Sequence, residues 1–237
     1  ASARRGTTGR GAHEGDVGRV GSPARRGPDA DSQGALASAP GSADQTSAKL
    51  SPQARRAEQA RERMHQGLSQ TLSEVERWAQ SGVPFDTLLN RTAQALLDIL
   101  RAQRVVVCLR DGQAAAIVGR LGKGHRSQAA AACFQVPLDP PRDVFGILCT
   151  HGKDTLISNT QDPVIAQRLP AWFHKELRAG TFLLLPMKLG DKPIGAIYAD
   201  KEDTASLDVG EQELSLLKAL RDQVVSVLRQ KASSNGP

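Results

Sequence analysis

The sequence predicts a mixed α and β domain, with a sheet built round one central hairpin and long helices at either end. Three observations carry this reading. Phe182 to Asp200 (FLLLPMKLGDKPIGAIYAD) is two apolar runs joined by a Gly-Asp-Lys-Pro turn, too short to span a membrane and suited to paired buried strands. Arg104 to Leu109 (RVVVCL) is β-branched and apolar, and the turn pair Asp111-Gly112 follows it. Residues 54–80, 83–102 and 209–231 place apolar side chains at helical spacing among charges.

In chain order, residues 1–53 hold Gly, Ala, Ser or Pro at 30 of 53 positions, with no aromatic. Such a segment buries too little surface to offset its ordering entropy, so a disordered tail is expected. Ser51-Pro52 reads as a helix entry, with proline at the first helical position. Met64, Leu68, Leu72, Val75 and Ala79 then form one narrow apolar seam on a charged helix ending near Gln80, a pattern that points to pairing with another helix, the plainer reading being a helix that lies on its own domain. Val83-Pro84 breaks that helix. Phe85, Leu88, Leu89, Thr92, Leu96, Ile99 and Leu100 give the next one a broad face to lay on a sheet.

After the first strand, Gln113 to Val118 is expected to return as a second strand, Gly119 to His125 to be a loop, and Cys133 to Leu138 to be a third strand. Arg142 to Thr150 reads as a short helix capped by Gly152, and Thr155 to Ser158 as a strand. Asn159 to Pro163 reads as a turn, and Val164 to Leu177 as irregular-to-helical around Pro170. Gly195 marks a place of close packing in the core hairpin. Asp208 and Glu211 have capping-box spacing ahead of the last helix, and residues 232–237 are expected to fray.

Composition excludes several classes. The net charge is +6 over 237 residues, spread between tail and body, and aromatics are scarce. Neither a nucleic-acid footprint nor a base-stacking platform is present. No run is long enough for a transmembrane helix, and no signal peptide is visible, although the chain lacks an initiator methionine and is expected to be processed, a fragment, or missing its front. Cys108, Cys133 and Cys149 are odd in number and lack CxxC spacing. They read as buried free thiols of a reducing compartment, hence a cytoplasmic protein without metal or disulfide framework. The Gly-Lys of Gly119 to His125 lacks the phosphate-loop pattern.

With these residues in view, the chain resembles the GAF domain family. The likeness rests on LLLPMKLGDKPIGAIYAD as the core hairpin, DVFGILCTHGKDTLISNTQDP as helix, strand and Asp-containing loop, and DVGEQELSLLKALRDQVVSVLRQ as the closing helix. Pro170-Ala171-Trp172-Phe173, Tyr198-Ala199-Asp200 and the Leu216 to Arg221 stretch resemble the GAF-like regions that follow HDOD domains in bacterial signalling proteins. No His-Asp metal motif of an HDOD domain is present.

The resemblance implies an α+β fold with a central antiparallel sheet of five to six strands, and a non-catalytic sensor role. It implies a pocket between the sheet and its covering segments, lined by Phe145, Cys149, Asn159, Trp172, Tyr198 and Asp200. The plainer reading makes Phe145 and Trp172 core residues and Asn159 a turn residue, and has Asp200 cap its strand or meet a base. In that reading a filled core stands where the pocket would be, and the protein is a ligand-free structural dimerisation module. Homodimerisation is expected through the helices 54–80 and 209–231.

The Asn-Lys-x-Phe…Asp-Glu pattern of cyclic-nucleotide-binding members is missing. Cys149 is not directly followed by histidine as in bilin-binding members, and His125, His151 and His174 sit in contexts unsuited to haem, so no cofactor is expected. The leading enzymatic alternative is the free methionine sulfoxide reductase subclass, which needs a nucleophilic thiolate beside a resolving thiol.

Overall fold

The computed structural model describes residues 51–234. The expected tail falls outside them except for its last three residues, as do residues 235–237. The elements are α1 (Pro52–Gln80), α2 (Phe85–Leu100), β1 (Arg104–Arg110), β2 (Ala116–Gly124), α3 (Ser127–Cys133), β3 (Gln135–Pro137), α4 (Val144–His151), β4 (Thr155–Ile157), α5 (Pro163–Ala166), a π-helical turn (Phe173–Leu177), β5 (Thr181–Leu189), β6 (Lys192–Lys201) and α6 (Glu211–Ser234). Six strands form one sheet in the order β3-β2-β1-β6-β5-β4, with every neighbouring pair antiparallel.

The central hairpin is buried on both faces, which is why its sequence is apolar rather than alternating. Leu183, Leu185, Met187, Ile197 and Ala199 face a core shared with α1, α2 and α6. Phe182, Leu184, Ala196 and Tyr198 face a second core under α3, α4 and the π-helical turn. In β1, Val105 and Val107 join the first core, Val106 and Cys108 the second. Gly190 (φ 60) and Asp191 make the two-residue turn between the paired Leu189 and Lys192. Gly195 is closely approached, by the Cys108 carbonyl oxygen and the Met187 Cε of the neighbouring strands.

Helix α1 starts as its sequence implies: Ser51 Oγ accepts from the Ala54 amide at 3.2 Å and Pro52 opens the helix. Its seam lies within this chain. Leu68, Thr71 and Val75 are buried against α2 and α6, so intramolecular packing accounts for the pattern. Helix α2 lies on β1 and β2 with the expected face inward. Gly152 (φ 66) caps α4, and the Asp143 carboxylate caps its start by accepting from Gly146 N at 2.9 Å.

Four expectations are corrected. The segment from Gly119 to Gly124 is strand, continuing β2, not loop. Its glycines are there because α3 crosses at backbone distance. A Cβ at Gly119 would strike the Ala131 carbonyl, and one at Gly122 the Ser127 carbonyl. Cys133 ends α3, an alanine-rich helix with little apolar periodicity to announce it, and β3 is only Gln135–Pro137. The return strand begins at Ala116 rather than Gln113, because the Asp111 carboxylate takes the amides of Gln113 (2.8 Å) and Ala114 (3.3 Å) and holds them in the turn. Finally, Asp208 is not a helix cap. Its carboxylate binds Arg61 of α1 at 2.8 and 3.0 Å, and α6 (Glu211–Ser234) begins at Glu211. Among the described residues no helix is long and apolar enough to cross a membrane.

Candidate functional site

The space between the sheet and its α3, α4 and π-helical covers is filled by aromatic rings. Phe145 from α4 stacks on Phe182 of β5 at 5.3 Å and lies 5.2 Å from Trp172, just before the π-helical turn. Phe134, which follows α3, sits 4.9 Å from both Trp172 and Tyr198. Phe173 closes the group, 5.5 Å from Phe182. Each element contributes one or two rings because its buried positions point at the same sheet face. Phe145, Phe182 and Tyr198 are fully buried, and Trp172 is half-buried.

At one edge of this cluster lies a buried polar network. Tyr198 and Asp200 project from the same face of β6, two residues apart, and Asp200 pairs in register with Arg104 at the start of β1. The Tyr198 hydroxyl donates to Asp200 Oδ2 at 2.8 Å. Arg104 Nε donates to Oδ1 and Oδ2 at 3.1 and 3.0 Å, and Nη2 lies 2.8 Å from Oδ2. Nη2 also donates to the Leu177 carbonyl at 2.6 Å, tying the end of the π-helical turn to the sheet. Burial raises the Asp200 carboxyl above its ordinary value, against the opposing pull of Arg104 and the Tyr198 hydroxyl. Burial, and then the neighbouring Asp200, push the Tyr198 phenol well up. The network is internally satisfied, as a structural anchor is, rather than poised to move a proton.

Of the six candidates, Phe145, Trp172 and Tyr198 come together in the ring cluster, with Asp200 attached through Tyr198. Cys149 is buried in the same core, 1% exposed. Asn159 stands apart: it is exposed, and its side chain accepts from Gln161 N at 2.9 Å as a turn residue. Sequence reasoning missed Arg104 and Phe134. The signal for Arg104 was a cation heading a wholly apolar strand, with an aspartate at the exit of the central hairpin. Phe134 follows α3, whose alanine-rich sequence carries little apolar periodicity.

All three cysteines are free. Burial pushes the Cys149 thiol up to about 12 and raises Cys108 well above the ordinary thiol value; the half-buried Cys133 is raised as well, first by burial and then by Glu176. A nucleophilic thiol needs the opposite shift. Among the described residues no three His, Cys, Asp or Glu side chains converge as a metal site would need.

A family model described as GAF domain matches residues 84–228, running from the start of α2 into α6. The chain belongs to the GAF domain family. No curated protein matches it. Among solved structures, the GAF domain from an Acinetobacter phosphoenolpyruvate-protein phosphotransferase superposes with a TM-score of 0.58 at 18% identity, covering 71% of this chain and 95% of that one. Free methionine-R-sulfoxide reductase from Neisseria meningitidis, in complex with its substrate, gives 0.55 at 18% identity, covering 70% and 91%. A GAF domain/HD domain protein from Geobacter sulfurreducens gives 0.52 at 13%, covering 67% and 96%. At these identities the likeness is one of fold. Membership in a family typical of signalling and sensor domains supports a regulatory role for this GAF domain.

Proposed function

We propose that this protein is a non-catalytic regulatory GAF domain of bacterial signal transduction, working in the cytoplasm as a packing relay rather than as an open ligand pocket. The observation that carries the reading is the ring cluster. Phe134, Phe145 and Trp172 occupy the region between sheet and covers, with centroids 4.9 to 5.9 Å apart. A change in that packing reaches the sheet through Phe182 and Tyr198. It reaches α6 through Arg221, which donates to the Pro186 carbonyl of β5 and to Asp154, both at 2.8 Å. The three raised thiols argue against the reductase chemistry.

Small-ligand sensing is the second reading. It is favoured by Trp172, a half-buried ring on the covering segment that an incoming ligand would displace. Indole distinguishes the two. Under the relay reading, millimolar indole leaves the melting temperature of the wild type unchanged and raises that of Trp172→Ala, whose vacated space it fills. A rise in the wild type favours sensing instead. Turnover of free methionine sulfoxide with a thiol reductant would overturn the non-catalytic reading.

The proposal includes a homodimer joined along the outer surfaces of α1 and α6, where Leu216 and Val225 remain partly exposed. A monomer in sedimentation at tens of micromolar removes that part. It also includes the HDOD-associated branch as the wider context, on the Pro170 to Phe173 and Tyr198 to Asp200 motifs.

A further inference from the structure

A second concave site lies on the opposite, helical side of the sheet, away from the ring cluster. It is a pocket of about 400 Å³ between α1, the C-terminal end of α2, the last residue of β6 and the loop leading to α6. Its apolar wall is Ala57, Ala60 and Met64 of α1, which share one helical face, together with Ile99 and Leu100 of α2. Around that wall stand four cationic groups against two carboxylates, an excess of two positive charges.

The pairing within the pocket is uneven. Arg61 is taken up by Asp208 in a two-point ion pair. Asp98 is engaged by the amide of Gln94, at 3.1 and 3.2 Å, rather than by a cation. Among the described residues Arg63 and Arg101 make no ion pair. Lys201 spends one donor on the Ser206 carbonyl at 2.9 Å and has the others available. Arg101 and Lys201 are close enough to repel: burial lowers the Lys201 pKa first, and Arg101 lowers it further. Two like charges that have no carboxylate partner among the described residues, set over an apolar wall, are relieved by an anion placed between them. At the α2 C-terminus the Asp98 and Leu97 carbonyls are bonded to the amides of Arg101 and Ala102.

We propose that this pocket binds a small amphipathic anion, with an apolar body on the α1–α2 wall and one carboxylate or phosphate between Arg101 and Lys201, Arg63 flanking. An occupant would touch α1, α2 and the Ser206 and Asp208 loop at once, so binding would stiffen the junction of the two terminal helices. The inference is independent of the ring cluster and of the relay reading.

The test is isothermal titration of the full chain with decanoate, decyl phosphate, decanol and inorganic phosphate. Binding of decanoate or decyl phosphate is expected, and whichever is tighter names the headgroup. Decanol and inorganic phosphate, each lacking half of the pharmacophore, are expected to bind at least about tenfold more weakly. Arg101→Gly, which suits the left-handed backbone at that position (φ 49), and Lys201→Gln should each weaken binding about tenfold, with Arg126→Gln as a control elsewhere on the surface. Should Arg101→Gly perturb folding, Lys201→Gln alone carries the test. Equal binding of decanol, affinity unchanged in the pocket variants, or no binding by either anionic amphiphile overturns the proposal.

Discussion

Arg104 and Asp200, 96 residues apart in the chain, meet as a buried ion pair with Nη2 2.8 Å from Oδ2, 3% and 0% exposed. The pair joins the first strand to the exit of the central hairpin and, through the Leu177 carbonyl, holds the covering segment down. Arg104→Met leaves a buried carboxylate with one remaining side-chain donor. The expected cost is about 3–5 kcal/mol in urea unfolding. The double variant Arg104→Met/Asp200→Asn should recover a large part of it. Burial then dominates the Asp200 pKa in the single variant. A folded-state pKa above the unfolded one means stability is greatest at low pH and is lost as pH rises through the carboxylate range, so Arg104→Met should be relatively more stable near pH 4 than near pH 8. Equal stability at both would show that the pair is not what keeps the charge buried.

Phe145 touches four other rings within 6 Å. Truncation to alanine should cost about 3–5 kcal/mol through lost transfer energy and the cavity left behind. Trp172 emission should shift to the red as its neighbour disappears. A loss under 1 kcal/mol, on the order of an exposed substitution, would mean the cluster is loosely packed.

Thiol reactivity should rank by burial. At pH 8 in the folded state iodoacetamide should modify Cys133 alone, with Cys108 and Cys149 labelled only after unfolding in guanidinium, as read by intact mass. Three rapid adducts in the native protein would contradict the burial of the two.

The same burial makes the fold sensitive to base. Cys149 is raised from 9.0 to about 12, so its neutral thiol contributes stability that is complete below about pH 9 and lost as pH climbs toward 12. The contribution is at most about 4 kcal/mol. Thermal melts at pH 7, 9 and 11 should fall steadily at the high end, and Cys149→Ala should flatten part of that slope. A wild-type profile level to pH 11 would remove the claim.

Gly195→Ala should destabilise by about 1–3 kcal/mol, because the new methyl meets the Cys108 carbonyl and the tip of Met187. The carbonyl belongs to a central strand and cannot step aside. Denaturant midpoints for Gly195→Ala and for Gly190→Ala, whose Cβ meets nothing but whose φ of 60 is strained, separate collision from backbone strain.

The long helices, the core hairpin and the α+β class were legible in the chain because each is written locally: apolar spacing on α2 and α6, Ser51-Pro52 at the start of α1, and Gly190-Asp191 between two apolar runs. The GAF likeness came from the same stretches. Contacts between distant segments were not legible. Gly119 and Gly122 read as loop residues until α3 is seen lying against their backbones, and Asp208 read as a cap until Arg61, 147 residues away, claims it. The seam of α1 asked only for an apolar partner; packing supplied α2 and α6 of the same chain. In the site, Phe145, Trp172, Tyr198 and Asp200 were named from the sequence, but whether they line a hollow or fill it depends on where four separate elements put their rings. That is set by the register of β1 on β6 and the approach of the covers to the sheet, quantities that no single stretch of the chain encodes.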